Sequence, residues 1–125
     1  MTEATNETDA VLTANLSFYR CFAERDIAGM ESVWALEVPV TCIHPGWSPR
    51  HGRAAVLDSW RSILSNPDAP IIHCHDEQVT FYGPIATVVC EEGLGTSTLF
   101  ATNIFMFENG AWRMISHQSS PAIAI

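Results

Sequence analysis

The stretch Phe105-Met-Phe-Glu-Asn109-Gly110-Ala-Trp-Arg-Met-Ile115 decides the fold. Asn-Gly stands between two runs rich in aromatic and apolar residues. A two-residue type I′ turn needs positive φ at both central positions, which Asn and Gly tolerate best. A hairpin therefore closes at 109–110, pairing Glu108 with Ala111, Phe107 with Trp112 and Phe105 with Met114. Continued without interruption, this register sets Asn103 opposite Ser116. One hairpin face then carries Asn103, Phe105, Phe107, Trp112, Met114, Ser116 and Gln118. The other carries Phe100, Thr102, Ile104, Met106, Arg113, Ile115 and His117.

Before the hairpin, further β-type runs span 71–82, 85–94 and 97–107, broken at Gly83-Pro84 and between Gly93 and Gly95. Upstream of these the periodicity is helical. Leu12, Leu16, Tyr19 and Ala23 recur at i, i+4, i+7 and i+11, flanked by Val11, Phe18 and Phe22. This helix is expected from Asp9, capped by Thr8 or Asn6, behind a flexible tail of residues 1–7. Asp26 caps a second, shorter helix with an apolar face of Ile27, Met30, Val33 and Trp34, and Pro39 closes that segment. A short strand over 40–43 stops at the turn-rich His44-Pro45-Gly46-Trp47-Ser48-Pro49. A third helix over 53–65 turns Val56, Leu57, Trp60, Ile63 and Leu64 inward and ends at Asn66-Pro67. Helices followed by consecutive antiparallel strands predict one α+β domain over 8–125, with the helices on one sheet face.

A chain of 125 residues buries a core without metal or disulfide staples. Its formal charge of −8 repels phosphate backbones and anionic lipid, so neither nucleic acid nor a membrane is an expected partner. Cys21, Cys42, Cys74 and Cys90 form no CxxC pair. With a polar, acidic start and no signal-like segment, they read as reduced thiols of a cytoplasmic protein. Both hairpin faces are apolar, yet the helices cover only one. The second face is therefore expected to meet another subunit, giving a homodimer.

Several segments together resemble NTF2-like proteins of the SnoaL-like branch. They are Asn15-Leu-Ser-Phe-Tyr-Arg-Cys-Phe-Ala-Glu-Arg-Asp26 with Met30 and Trp34, Cys42-Ile-His-Pro-Gly-Trp47, Gly52-Arg-Ala-Ala-Val56 with Ser59-Trp60, Ala101-Thr-Asn-Ile-Phe105, and the close from Asn109 to Pro121. The resemblance covers nearly the whole chain. It implies a cystatin-like cone, usually dimeric, with three N-terminal helices on a curved antiparallel sheet and a pocket between them. It transfers no reaction, because this fold hosts isomerases, dehydratases, hydrolases, cyclases and non-catalytic modules.

His44, held before Pro45-Gly46, is the candidate catalytic residue, a general acid or base near neutral pH. In ketosteroid isomerase-like relatives the matching pre-proline position is an aspartate. That isomerase's oxyanion tyrosine falls on Phe18, beside Tyr19, and its late-strand acid has no counterpart because residues 96–107 contain neither Asp nor Glu. Steroid isomerisation is therefore excluded. Asn103, Phe105, Ser116 and Gln118 share the predicted concave face as candidate ligand contacts, and Tyr19, Trp47 and Trp60 are candidate aromatic lining. Glu91 and Glu92 point to opposite faces, and the resemblance favours Glu92 for the pocket. Arg53 starts a helix, where the dipole disfavours it, so it is expected to serve a carboxylate: Glu92, a ligand acid or a surface residue. His73-Cys74-His75-Asp76 offers at most two ligands on one strand face, short of a zinc set, so no metal is expected. No nucleotide loop or nucleophile elbow occurs, and no cofactor is implied. The readings left are a module binding a small, partly apolar molecule and a cofactor-free lyase, isomerase or hydrolase using His44.

Overall fold

The computed structural model describes residues 3–123. Helix α1 spans Glu3–Glu24, α2 Ile27–Val33 and α3 Arg53–Ser65. The strands are β1 Thr41–Ile43, β2 Arg50–His51, β3 His73–Tyr82, β4 Ile85–Leu94, β5 Ser97–Glu108 and β6 Ala111–Pro121. Helix α1 begins six residues before the expected start. Asn6 and Thr8 therefore lie within it and do not cap it, and residues 3–7 of the expected tail are helical. Met1 and Thr2 of that tail lie outside the described residues. No helix among the described residues is long and apolar enough to cross a membrane.

The six strands form one curved sheet in the order β2-β1-β6-β5-β4-β3. The expectation of a purely antiparallel sheet needs one correction, since β1 runs parallel to β6, with Cys42 beside His117. These two strands share no turn, so no hairpin dictates their relative direction. Strand β2, which the sequence reading did not assign, follows directly on the 44–49 turn segment and pairs Cys42 with Arg50.

The 109–110 turn forms as the sequence dictates, with φ of 51° at Asn109 and 83° at Gly110. Its register holds through Phe105–Met114 and then shifts: Ile104 pairs with Ser116 and Asn103 with His117. Ile115 is thus an extra residue on β6, a β-bulge. Because side chains alternate with period two, one inserted residue exchanges the faces of everything beyond it. His117 and Ser119 turn inward and are buried, while Ser116 is half-buried and Gln118 exposed on the other side.

The core lies between the helices and the inner sheet face, around Phe18, Met30, Trp34, Trp60, Phe105 and Met114. On α1 the buried stripe is Val11, Asn15, Phe18 and Tyr19, rotated from the one expected. Leu16 is 67% exposed, and Ala23 is also exposed. A polar Asn15 occupies a core position of the true stripe, so apolar periodicity selected the neighbouring face.

Two charged side chains tie the α2–β1 connection down. Arg53 donates to the backbone carbonyls of Glu31, Trp34 and Ala35 at 2.8–3.0 Å, so its partners are main-chain oxygens and not the expected carboxylate. Glu108 accepts from the backbone N–H groups of Leu36 and Glu37 at 2.8–3.2 Å, and these bonds hold its carboxyl below the usual range. Glu108→Ala removes the acceptor for both. It is expected to lower stability by about 1–2 kcal/mol in urea unfolding at pH 7; an unchanged midpoint would show that water replaces the carboxylate.

Candidate functional site

The sheet, α1, α3 and the loop after β1 enclose a hollow of about 280 Å³. Its wall is mostly apolar, with Phe22, Trp60, Ile63, Ile72, Leu94 and Leu99. His44, His117 and Glu92 supply the polar groups, and Trp47 stands at the edge, 38% exposed. Larger clefts, of about 670 and 390 Å³, lie elsewhere along α1 against the 109–110 turn and the start of β6, and no histidine lines either. The site is judged by the convergence of titratable groups, not by size.

His44 leaves β1 and packs edge-on against Trp47 and Trp60, with ring centroids 4.8 and 4.7 Å away. Its Nε2 lies 2.8 Å from Ser59 Oγ, and that hydroxyl donates its single hydrogen to the Val56 carbonyl at 2.6 Å. Ser59 must then accept, so His44 carries its proton on Nε2 and leaves Nδ1 a bare acceptor. The Cys42 thiol approaches both ring nitrogens only at 3.7 and 3.9 Å. Burial, helped by the Arg50 charge, pushes the His44 pKa down to about 4.

His117 is the site residue the sequence did not disclose. Its Nδ1 donates to Asn103 Oδ1 at 2.5 Å, which leaves Nε2 bare. Burial, and then the nearby His44, lower its pKa to about 3. Asn103 passes the polarity on, donating from Nδ2 to Asn15 Oδ1 at 2.8 Å and to the Tyr19 hydroxyl at 3.0 Å. Tyr19 in turn donates to Glu92 Oε2 at 2.6 Å, and Ser119 donates to Glu92 Oε1. Every link runs in one direction, from His117 through Asn103 and Tyr19 to Glu92. Burial, and then the Glu92 charge, hold the Tyr19 hydroxyl protonated. Burial raises the Glu92 pKa, opposed by the hydrogen bonds from Ser119 and Tyr19.

The structure thus brings together His44, Trp47, Trp60 and Glu92 at the hollow, with Asn103 and Tyr19 in the network behind it. Glu92 faces inward and Glu91 outward, as alternation along β4 requires. Phe105 is buried core and does not reach the hollow. Ser116 and Gln118 are not pocket residues, because the Ile115 bulge turns them away; Ser116 instead accepts from Thr41 Oγ1 at 3.2 Å. Ser119, Asn15 and Ser59 were also missed. For Asn15 the signal was present, a polar residue at i between Val11 (i−4) and Phe18 (i+3). Ligand atoms of His75, Asp76 and Glu91 lie within 4.8 Å of one another, but on the outer side of the sheet.

Helices covering a curved sheet over a hollow with polar groups in its lining define the class: an α+β cystatin-like domain. The family model for the SnoaL-like domain matches residues 11–124, and the chain belongs to that family. It is similar to a crystal structure from Streptomyces avermitilis, a candidate dehydratase of the NTF2-like family. That match has TM-score 0.89 and 28% identity, covering 97% of this chain and 99% of that one. It is also similar to a candidate calcium/calmodulin-dependent protein kinase type II association domain from Thiobacillus denitrificans, with TM-score 0.77 and 29% identity over 88% and 93% of the two chains. F-box protein SKIP8 from Arabidopsis thaliana is 26% identical over 115 residues, 90% of this chain. This chain spans about half (50%) the length of that relative.

Proposed function

We propose that the protein binds one small, largely apolar molecule in the hollow, gripped at one end by His44, His117 and Glu92. One observation carries this reading. Two neutral imidazoles and a carboxyl group are buried around a space, whereas a core built only for stability would fill that space with apolar side chains. An apolar cavity of about 150 Å³ holds benzene, so about 280 Å³ holds a ring with a short substituent. The protein works as a homodimer in this reading. Supporting it, Tyr82, Ile85, Val89, Phe100, Ile104 and Met106 form a partly exposed apolar strip on the outer sheet face. A cytoplasmic setting agrees with four free thiols.

Methyl NMR during titration with benzyl alcohol tests the binding. Saturable shifts are expected for Ile63, Ile72, Leu94 and Leu99, with Val89 and Ile104 on the outer face unmoved. Leu99→Trp, which fills the hollow, should abolish them. Shifts spread over the outer face, or none at all, would refute the reading.

A second reading, cofactor-free acid–base catalysis of the lyase type, is favoured by the tautomer that Ser59 imposes. His44 Nδ1 is left unprotonated at neutral pH, on a side chain that lines the hollow. The similarity to a candidate dehydratase supports that class of reaction. In this reading His44→Gln abolishes turnover while leaving the affinity for benzyl alcohol within about fivefold, since one neutral hydrogen bond contributes about 1 kcal/mol or less.

A further inference from the structure

The hydrogen bonds around the hollow fix what kind of group the ligand must bring. His44 spends its only N–H on Ser59 and His117 spends its only N–H on Asn103, so the free ring nitrogen of each is an acceptor. Glu92 accepts on both oxygens, from Tyr19 and from Ser119. Asn103 Nδ2 donates to the Tyr19 oxygen, and the Tyr19 proton goes to Glu92 Oε2 at 2.6 Å, a nearer and stronger acceptor than Cys90 Sγ at 3.4 Å. Two donated bonds leave a carboxylate with about two of its four lone-pair positions open. The three titratable side chains that line the hollow, His44, His117 and Glu92, therefore present acceptors to it.

Among the described residues no basic side chain pairs with Glu92; Arg50 is close enough for its charge to act on His44. The sequence contains no lysine, and its six basic residues are arginines. Among the described residues each arginine is engaged elsewhere. Arg25, Arg53 and Arg113 donate to backbone carbonyls, Arg20 and Arg61 pair with surface carboxylates, and Arg50 bonds Ser48 and stacks over Trp47 at 5.1 Å. A buried carboxylate without a cation is costly, and the face of an aromatic ring in the same hollow, Trp60, attracts positive charge.

We propose that the ligand of this hollow is an ammonium compound, a protonated amine on a small aromatic or aliphatic body, with its N–H groups directed at Glu92, His44 and His117. This rests on the binding reading above and narrows it to a ligand class. The apolar wall of Ile63, Ile72, Leu94 and Leu99 takes the body, and Trp60 lines the same hollow.

Three probes of one shape test it: benzylamine, benzyl alcohol and benzoate, titrated at pH 7.5 by calorimetry with methyl NMR to locate each. Benzylamine is expected to bind roughly 10- to 100-fold more tightly than benzyl alcohol, the range for a hydrogen bond to a charged group, with benzoate weakest. Glu92→Gln should bring amine and alcohol to within about threefold of each other. If the alcohol or benzoate matches the amine inside the hollow, the ammonium proposal is overturned while the binding reading stands. Amine shifts on the outer face alone, driven by the net charge of −8, would overturn it as well. If none of the three enters the hollow, both fall together. Should Glu92→Gln not fold, the wild-type order of affinities decides alone.

Discussion

At pH 5 the protein is expected to be less stable than at pH 7 by at most about 4 kcal/mol, because two buried histidines must stay neutral in the folded state. The folded pKa values of His44 and His117, about 4 and about 3, lie below the unfolded value of 6.5. A group whose folded pKa is depressed contributes stability above its unfolded pKa and loses it as pH falls. Below 6.5 the unfolded chain takes up two protons that the folded chain refuses. Over the 1.5 units from 6.5 to 5, each histidine therefore costs about 2 kcal/mol. Glu92 works in the opposite sense. Its raised folded pKa favours the folded state as protons bind, so it offsets part of the loss. Glu108, with a lowered folded pKa, withdraws its contribution only below its unfolded value of 4.5, outside this window. Urea unfolding at the two pH values measures the difference, and His44→Gln should remove about half of the pH dependence. Equal stability at pH 7 and pH 5 would mean that the imidazoles are solvated.

Asn103→Leu should destabilise the protein by about 3–5 kcal/mol although it hardly changes side-chain volume, since each orphaned buried polar group costs about 1–3 kcal/mol. Asn103 is the hub through which the site is held. Without it the His117 N–H and the Asn15 carbonyl oxygen each lose a partner, and Tyr19 loses the donor that aims its proton at Glu92. By comparison, Tyr19→Phe removes only one hydroxyl and should cost about 1–2 kcal/mol. Chemical denaturation of both variants at pH 7.5 gives the ranking. An Asn103→Leu protein as stable as wild type would show that these bonds are exchanged for water at no loss.

The architecture was legible because its signals are local. Asn109-Gly110 fixes a turn by its φ requirement, Asp26 caps α2 by accepting from the Gly29 N–H at 2.9 Å, and Asn66-Pro67 ends α3. The resemblance carried by the ordered segments supplied the cone. Half of the candidate site was legible too: a rigid turn marks His44, and alternation sends Glu91 and Glu92 to opposite faces, with only the resemblance favouring Glu92. His117 and Ser119 were not, for one physical reason. Counting by twos from the 109–110 turn assumes an unbroken ladder, and nothing in Met114-Ile115-Ser116 marks the bulge that inverts it. The parallel pairing of β1 with β6 was hidden likewise, being set by packing between segments about 75 residues apart (Cys42 to His117: 117 − 42). Asn15 was overlooked because a buried amide breaks the apolar stripe, and only its partner on β5, far along the chain, makes that position acceptable.

The measurement closest to the central claim is a crystal structure of the protein grown with benzylamine. Ring density is expected among Ile63, Ile72 and Leu99, with the amine nitrogen at hydrogen-bond distance from Glu92 and from a bare imidazole nitrogen of His44 or His117. A hollow closed by its own side chains, with the amine bound only on the outer surface, would contradict that claim.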